Sequence, residues 1–154
     1  MAVVMQAARW GMDPFAVAQK TFIVGNSGVL GYEAQLVNAV INTMAPTKDR
    51  IHFEWFGAWE NIVGRFIKKT SGKGNDYIVP GWDLQDEAGV GVRAWATLKG
   101  RIRTSRACAD AFAGTSPQLY TVGERPRQQL AYLAVKRWAR LYCPDVIPRG
   151  LYRR

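Results

Sequence analysis

The chain has 154 residues, 48% of them hydrophobic, which is enough apolar material for one domain with a real core. Two cysteines and a single histidine exclude a disulfide framework and a typical zinc site, and they favour a reducing, cytoplasmic setting. No apolar run approaches the roughly 18 residues of a membrane span, so no membrane contact is expected. The net charge of +9 indicates an acidic partner, although residues 101–154 hold eleven of the 21 basic residues and only three of the 12 acidic ones.

Helix and turn signals fill the first third of the chain. In chain order they predict a helix at 2–10, a turn or one-turn helix at 13–14, a hairpin over 20–32 with its turn at 25–28, and a helix at 33–44. Asp13 and Pro14 suit the N-cap and the first position of the second helix. The first helix starts at once without a cap, from which we expect that an upstream segment is missing.

Period-two alternation predicts strands in the middle of the chain. The candidate strands are 51–56, 62–70, 77–79 and 90–99, with a solvated acidic turn at 83–88 between the last two. In the last strand the apolar face is predicted to carry Val92, Ala94, Ala96 and Leu98, and the other face Arg93, Trp95, Thr97 and Lys99. This order predicts an α+β fold, a small antiparallel sheet packed with helices, as a single domain over 1–147.

The last predicted helix, 126–144, is long and amphipathic, with Pro126 in its first turn and Pro144 at its end. Its apolar side is predicted to hold Leu130, Ala134 and Leu141, flanked by Leu133 and Trp138. Its opposite stripe holds Gln129, Tyr132, Lys136 and Arg140, which could contact phosphates and a base. An ordinary solvated basic face explains the same pattern. Arg137 lies within the apolar arc, so it needs a carboxylate, a backbone acceptor or a phosphate.

The sequence lacks the spacing of a phosphate-binding P-loop and of GxGxxG, and its carboxylates are too scattered to favour a metal enzyme. A basic surface with an aromatic ring fits a single-stranded nucleic acid better. Arg93, Trp95 and Lys99 on one strand face, with Lys68 and Lys69 nearby, form such a surface, although a tryptophan in this pattern is more often a core residue than a stacking platform. We expect these cations and those of the last helix to converge on one polynucleotide.

Several stretches resemble the core signature of the RecT family of phage single-strand annealing proteins. They are QAARWGMDPFAVAQKTFIV, GVLGYEAQLVNAVI, GAWENIVGRF, VPGW and PRQQLAYLAVKRWARLYCPDVI. The resemblance implies a non-enzymatic, ATP-independent protein of the bacterial cytoplasm, without a cofactor, that coats single-stranded DNA and anneals complementary strands. It also implies assembly into rings or helical filaments and a partner phage exonuclease.

Five positions match the family's motifs residue by residue: Lys20 after Asp-Pro, Tyr32 in the GYEAQ element, and Lys136, Arg137 and Arg140 in the last helix. Charge and facing, rather than the motif, suggest that they contact DNA, with Tyr32 and Trp95 stacking on bases. The candidate DNA-binding set is Lys20, Tyr32, Lys68, Lys69, Arg93, Trp95, Lys99, Lys136, Arg137 and Arg140. No catalytic or metal-binding residue is assigned.

Residues 101–124 and the basic tail 148–154 depart from the family's motifs. We interpret both as the product of reading-frame shifts, because one inserted base converts a family-like GESEPRVL into GRIRTSRA. Shifted codons would not preserve a hydrophobic period, so 101–124 is expected to be a poorly packed loop. Six positive charges in these segments would then be accidental, which leaves a net charge of about +3. The alternative function is an inactive truncated remnant, or an interaction-only subunit of a RecT-like oligomer.

Overall fold

The computed structural model of the chain describes residues 1–26, 28–44, 46–100, 106–113 and 125–147. The helices of these ranges are α1 (Ala2–Trp10), α2 (Pro14–Gln19), α3 (Ala34–Met44) and α4 (Pro126–Tyr142). The strands are β1 (Thr21–Val24), β2 (Val29–Tyr32), β3 (His52–Phe56), β4 (Phe66–Thr70), β5 (Asp76–Pro80), β6 (Gly91–Thr97) and β7 (Arg106–Phe112), with a short 3₁₀ turn at Trp59–Asn61. The predicted α+β fold with a long C-terminal helix is confirmed.

All strand pairs in the described ranges are antiparallel. Strands β3, β6 and β7 form a three-stranded sheet in the order β3-β6-β7, while β1-β2 and β4-β5 are separate hairpins. The turn between β1 and β2 uses Gly25 at φ 55° and Gly28 at φ 69°, a conformation that glycine adopts without steric cost. The hairpin predicted there from the sequence is therefore confirmed.

Helix α4 packs on one face of β6 and β7 and forms the main core. Val92, Ala94 and Ala96 of β6 are fully buried, as their alternation predicts, and the alanines of β7 continue this surface at 107, 109 and 111. Small side chains on both strands let the bulky Trp138 of α4 reach the sheet, where its Nε1 donates to the Ala107 carbonyl at 2.7 Å. This packing puts the opposite face of the sheet outside the core.

A second buried cluster joins the start of the described chain to its end. Trp10 of α1 packs with Val17, Leu36 and Val40, and its Nε1 donates to the Val146 carbonyl at 2.9 Å. The Asp13 carboxylate accepts a hydrogen bond from the Ala16 N–H at 3.0 Å and Pro14 opens α2, as predicted. This cluster holds α3 against both termini of the described fold.

The structure corrects the expectation of a poorly packed loop at 101–124. Residues 106–112 form β7, whose Ala107, Ala109 and Ala111 alternate into the core, so the stretch RACADAF does carry a period of two. The rest of that expectation concerns 101–105 and 114–124, which lie outside the described residues, as does the tail 148–154.

Three further expectations are wrong in part. The strand predicted at 62–70 begins only at Phe66, because Ile62 is buried at the end of the 3₁₀ turn. Glu87 in the supposedly solvated acidic turn is buried, since its carboxylate accepts from Trp82 Nε1 at 2.8 Å. Leu141, expected on the apolar side of α4, is 66% exposed because it lines an open depression together with Cys108 and is not covered by the core.

Candidate nucleic-acid interface

A groove of about 280 Å³ runs between the start of α3 and one side of α4, and we call it the α3–α4 groove. Helix α4 contributes its predicted polar stripe from Gln129 through Tyr132 to Lys136, together with Leu133. Helix α3 contributes its first turn, Ala34 and Gln35, and the preceding Glu33. The first backbone N–H groups of a helix lack intrahelical acceptors and carry a partial positive charge, so this wall of the groove favours an anion.

Lys136 is the cation of the groove. Burial lowers the pKa of its ammonium and the neighbouring Arg140 lowers it further, while Glu33 opposes both effects. Its Nζ lies 5.7 Å from the centroid of the Phe22 ring in β1. The Glu33 carboxylate attracts the Lys136 ammonium electrostatically. Among the described residues, however, the ion pair of Glu33 is with Lys20 and not with Lys136. Lys136 is thus a partly desolvated cation whose charge the protein compensates only in part.

Lys20 lies at the end of α2 and reaches the same groove through Glu33. Its Nζ is 3.1 Å from a Glu33 carboxylate oxygen, and its carbonyl accepts from the Glu33 N–H at 2.9 Å. Both side chains are about half exposed, 41% for Lys20 and 48% for Glu33. Two candidate cations far apart in the sequence, Lys20 and Lys136, therefore share one carboxylate.

Arg137 and Arg140 line a second depression, of about 500 Å³, where α4 crosses the edge of β7 that faces away from β6. Arg137 Nη1 donates to the Asp110 carbonyl at 3.0 Å, so the partner that its position in the apolar arc demanded is a backbone acceptor. The Tyr142 hydroxyl donates to the Cys108 carbonyl at 2.9 Å and accepts from the Cys108 N–H at 3.3 Å. Side chains of α4 thus occupy backbone groups of the β7 edge that another strand could otherwise pair with.

The outer face of the sheet, opposite α4, carries Arg93 and Trp95 and is separate from the groove. Arg93 forms a bidentate pair with Asp110 at 2.8 and 2.9 Å, which raises the pKa of the guanidinium and holds that of the carboxyl below its usual range. The Trp95 ring stacks on His52 at 4.2 Å, and the Arg106 guanidinium lies 4.2 Å from its centroid. Both candidates already have partners within the fold.

The remaining candidates lie away from the groove or pack against the core. The β4-β5 hairpin carries Lys68 and Lys69, and the Lys68 Nζ lies 2.9 Å from a carboxylate oxygen of Asp76. Lys99 is exposed just after β6. Tyr32 packs edge-on against Trp10 with ring centroids 5.2 Å apart, and burial raises the pKa of its hydroxyl. The expected convergence of sheet and helix cations is therefore wrong for Arg93, which lies on the other face of the sheet. Of the candidate cations, Lys20 at the end of α2 and Lys136 come together through Glu33, with Arg140 one turn along α4.

Sequence reasoning missed two acidic residues that organise these surfaces, Glu33 and Asp110. Glu33 sits in the GYEAQ element directly before α3, so its position was visible, but its proximity to Lys136 depends on how α3 packs against α4. Asp110 lies in the segment that departs from the family's motifs, and its alternation with the alanines of β7 is the signal that could have placed it beside Arg93.

No group of three or more His, Cys, Asp or Glu side chains in the described part of the chain could hold a metal ion. Nor is any of its helices both long and apolar enough to cross a bilayer. Comparison with curated proteins and with solved structures finds no match.

The model of the RecT family matches residues 1–154, a range that also includes the segments 101–124 and 148–154. The reading-frame hypothesis for those segments stays a prediction, which the nucleotide sequence of the gene would test. Because the match extends over the whole sequence, the chain belongs to the RecT family, whose proteins bind single-stranded DNA and anneal it in phage-type recombination.

Proposed function

We propose that the chain binds single-stranded DNA along the α3–α4 groove and holds it there for annealing to a complementary strand. The observation that carries this proposal is the position of Lys136, a half-buried cation that lines an open groove together with the first turn of a helix. Both groups attract a phosphate, and a bound phosphate would complete the charge compensation that Glu33 gives Lys136 only in part. The reaction is an association of strands, so it requires no ATP, no cofactor and no covalent step.

DNA binding has two components, contacts with the phosphates and stacking on a base. Lys136, Lys20 and the first turn of α3 hold the backbone, and Arg140 extends the cationic track by one turn of α4. Tyr132, half-buried on the groove wall, offers a ring on which a base can stack. Neither kind of contact reads base edges, so binding is independent of sequence and the bases stay free to pair.

Assembly extends the site. Gln129 and Lys136 are separated by about 10 Å along the helix axis, so one groove contacts only a short piece of DNA. RecT-family proteins form oligomeric rings, and adjacent copies would join these short sites into a continuous track with far higher avidity. In the cytoplasm of the bacterial host, a partner phage exonuclease would supply the single strand.

Fluorescence anisotropy of a labelled oligo-dT, titrated with protein at several salt concentrations, tests the proposal. The wild-type chain should bind with an affinity that falls steeply with salt. Lys136→Met should weaken binding about tenfold and reduce the slope of log affinity against log salt by about 0.7, the contribution of one phosphate on a single strand. Lys69→Met, the same change on the β4-β5 hairpin, is the matched control and should leave both quantities near wild type.

Two results would contradict the proposal: no binding of oligo-dT at low salt, or equal losses from Lys136→Met and Lys69→Met. An annealing assay with two complementary strands completes the test, because a chain that binds one strand but does not accelerate pairing is a binding module only. Absence of both activities would favour the alternative of an inactive or interaction-only member of the family.

A further inference from the structure

Glu33 places a negative charge at the mouth of a groove that otherwise attracts anions. Its carboxylate is 3.1 Å from Lys20 Nζ and acts electrostatically on Lys136 across the groove. It immediately precedes the first turn of α3, where the helix dipole stabilises negative charge. These three sources of positive charge are the ones that the proposed function assigns to a DNA phosphate.

We propose that Glu33 is an internal stand-in for a DNA phosphate, whose carboxylate holds the anion position of the α3–α4 groove until the strand displaces it. The inference rests on the proposed function and deepens it by naming a specificity-determining residue of the same site. Glu33 then competes with every incoming anion. Only a ligand whose contacts with the groove outweigh those of the displaced carboxylate binds there.

The exposure of Glu33 makes this competition reversible. An ion pair between two half-exposed side chains contributes little free energy, so the carboxylate swings away at low cost. A free phosphate ion gains one site and competes poorly, whereas a polynucleotide brings adjacent phosphates and a base for Tyr132. Glu33 therefore selects polymer over small anions. It also speeds release, since the carboxylate returns as each phosphate leaves.

A purely structural role for Glu33 predicts the opposite result. If the carboxylate only orients Lys20 for DNA, its removal weakens binding. If it occupies the phosphate position, its removal strengthens binding and frees Lys20 for a new phosphate contact. The sign of the change in affinity separates the two roles.

The test compares Glu33→Gln with Asp76→Asn in the oligo-dT titration. Asp76 is the matched control because it also pairs with a lysine, at 2.9 Å, and is 50% exposed, so both variants lose one equivalent charge. Glu33→Gln should tighten binding about three- to tenfold at low salt and steepen the salt slope by about 0.7. Inorganic phosphate should compete more effectively with DNA in Glu33→Gln than in the wild type.

Unchanged or weaker binding by Glu33→Gln would overturn the inference, and so would equal tightening by Asp76→Asn, which would reduce the effect to net charge. Glu33→Ala repeats the test without any polar group at this position, and thermal melts confirm that each variant is folded. If the wild type binds and Lys136→Met weakens it while neither Glu33 variant binds more tightly, only the role of Glu33 fails. If neither the wild type nor the Glu33 variants bind, the proposed function fails with it.

Discussion

The α3–α4 groove and the outer face of the sheet both carry cations and aromatic rings, yet they differ in how those groups are used. On the outer face, Arg93 is held by Asp110 in a bidentate pair, and Arg106 lies 3.7 Å from Glu54. Trp95 is flanked by His52 on one neighbouring strand and by Arg106 on the other. These cations and the Trp95 ring therefore already have partners within the protein.

The groove contains the same kinds of residue in a different balance. Among the residues that the structure describes, Lys20 and Lys136 share a single carboxylate, and Tyr132 lines an open space rather than stacking on another ring. A high net charge, here +9, therefore does not locate an anion site in this protein. What locates it is the shortage of acidic partners within reach of the cations.

Trp138→Ala should have the largest effect, because it removes the side chain that joins the helix bearing the groove to the sheet. The indole is fully buried and donates to the Ala107 carbonyl, so its loss should lower the free energy of unfolding by about 3–5 kcal/mol. Urea denaturation measures the change. Trp55→Ala, which removes an equal ring that is 39% exposed, should cost clearly less, and equal losses would contradict the assignment of Trp138 to the central core.

Tyr132→Ala and Trp95→Ala compare the aromatic rings of the two surfaces directly. Tyr132→Ala should weaken oligo-dT binding by about 1–3 kcal/mol, the contribution of one stacked base, with little change in stability. Trp95→Ala should lower stability while leaving DNA affinity near wild type, since its ring already has partners. Anisotropy and thermal melts on both variants check this, and the reverse pattern would move the DNA site to the outer face.

Asp110→Asn should affect the stability of the outer face in a pH-dependent way. Because Arg93 lowers the pKa of Asp110 below 3.8, this carboxylate stabilises the fold above its unfolded pKa, and the contribution is lost as pH falls through the lower folded value. The variant should melt about 2–4 °C lower at neutral pH and lose less stability than the wild type below pH 3.8. Parallel stability–pH curves would show that the pair contributes nothing, and DNA affinity should not weaken.

Leu141→Ala should have the smallest effect and defines where the core side of α4 ends. Because Leu141 is 66% exposed, its truncation should change the free energy of unfolding by less than about 0.5 kcal/mol. Leu130→Ala, the same change at a buried position of α4, should cost about 2–5 kcal/mol in the same urea titration. Comparable costs at the two positions would mean that Leu141 is covered, for example by a second copy of the chain.

Local sequence patterns determined much of this fold. Four features each depend on residues a few positions apart, whose spacing sets capping, turn conformation and periodicity. They are the Asp13 cap, the glycine turn between β1 and β2, the buried face of β6 and the extent of α4. The polar stripe of α4 is likewise a property of one helix. These features could therefore be predicted without knowing the neighbours of any element.

Which of the candidate residues come into contact depends on how the elements pack. Packing of α4 on β6 and β7 put Arg93 on the far face of the sheet, and pairing of β7 with β6 gave it Asp110. Packing of α3 against α4 brought Glu33 and Lys136 to one groove. Such contacts depend on the register of paired strands and on the packing of helices that are distant in sequence. The periodicity of a single element carries no information about either.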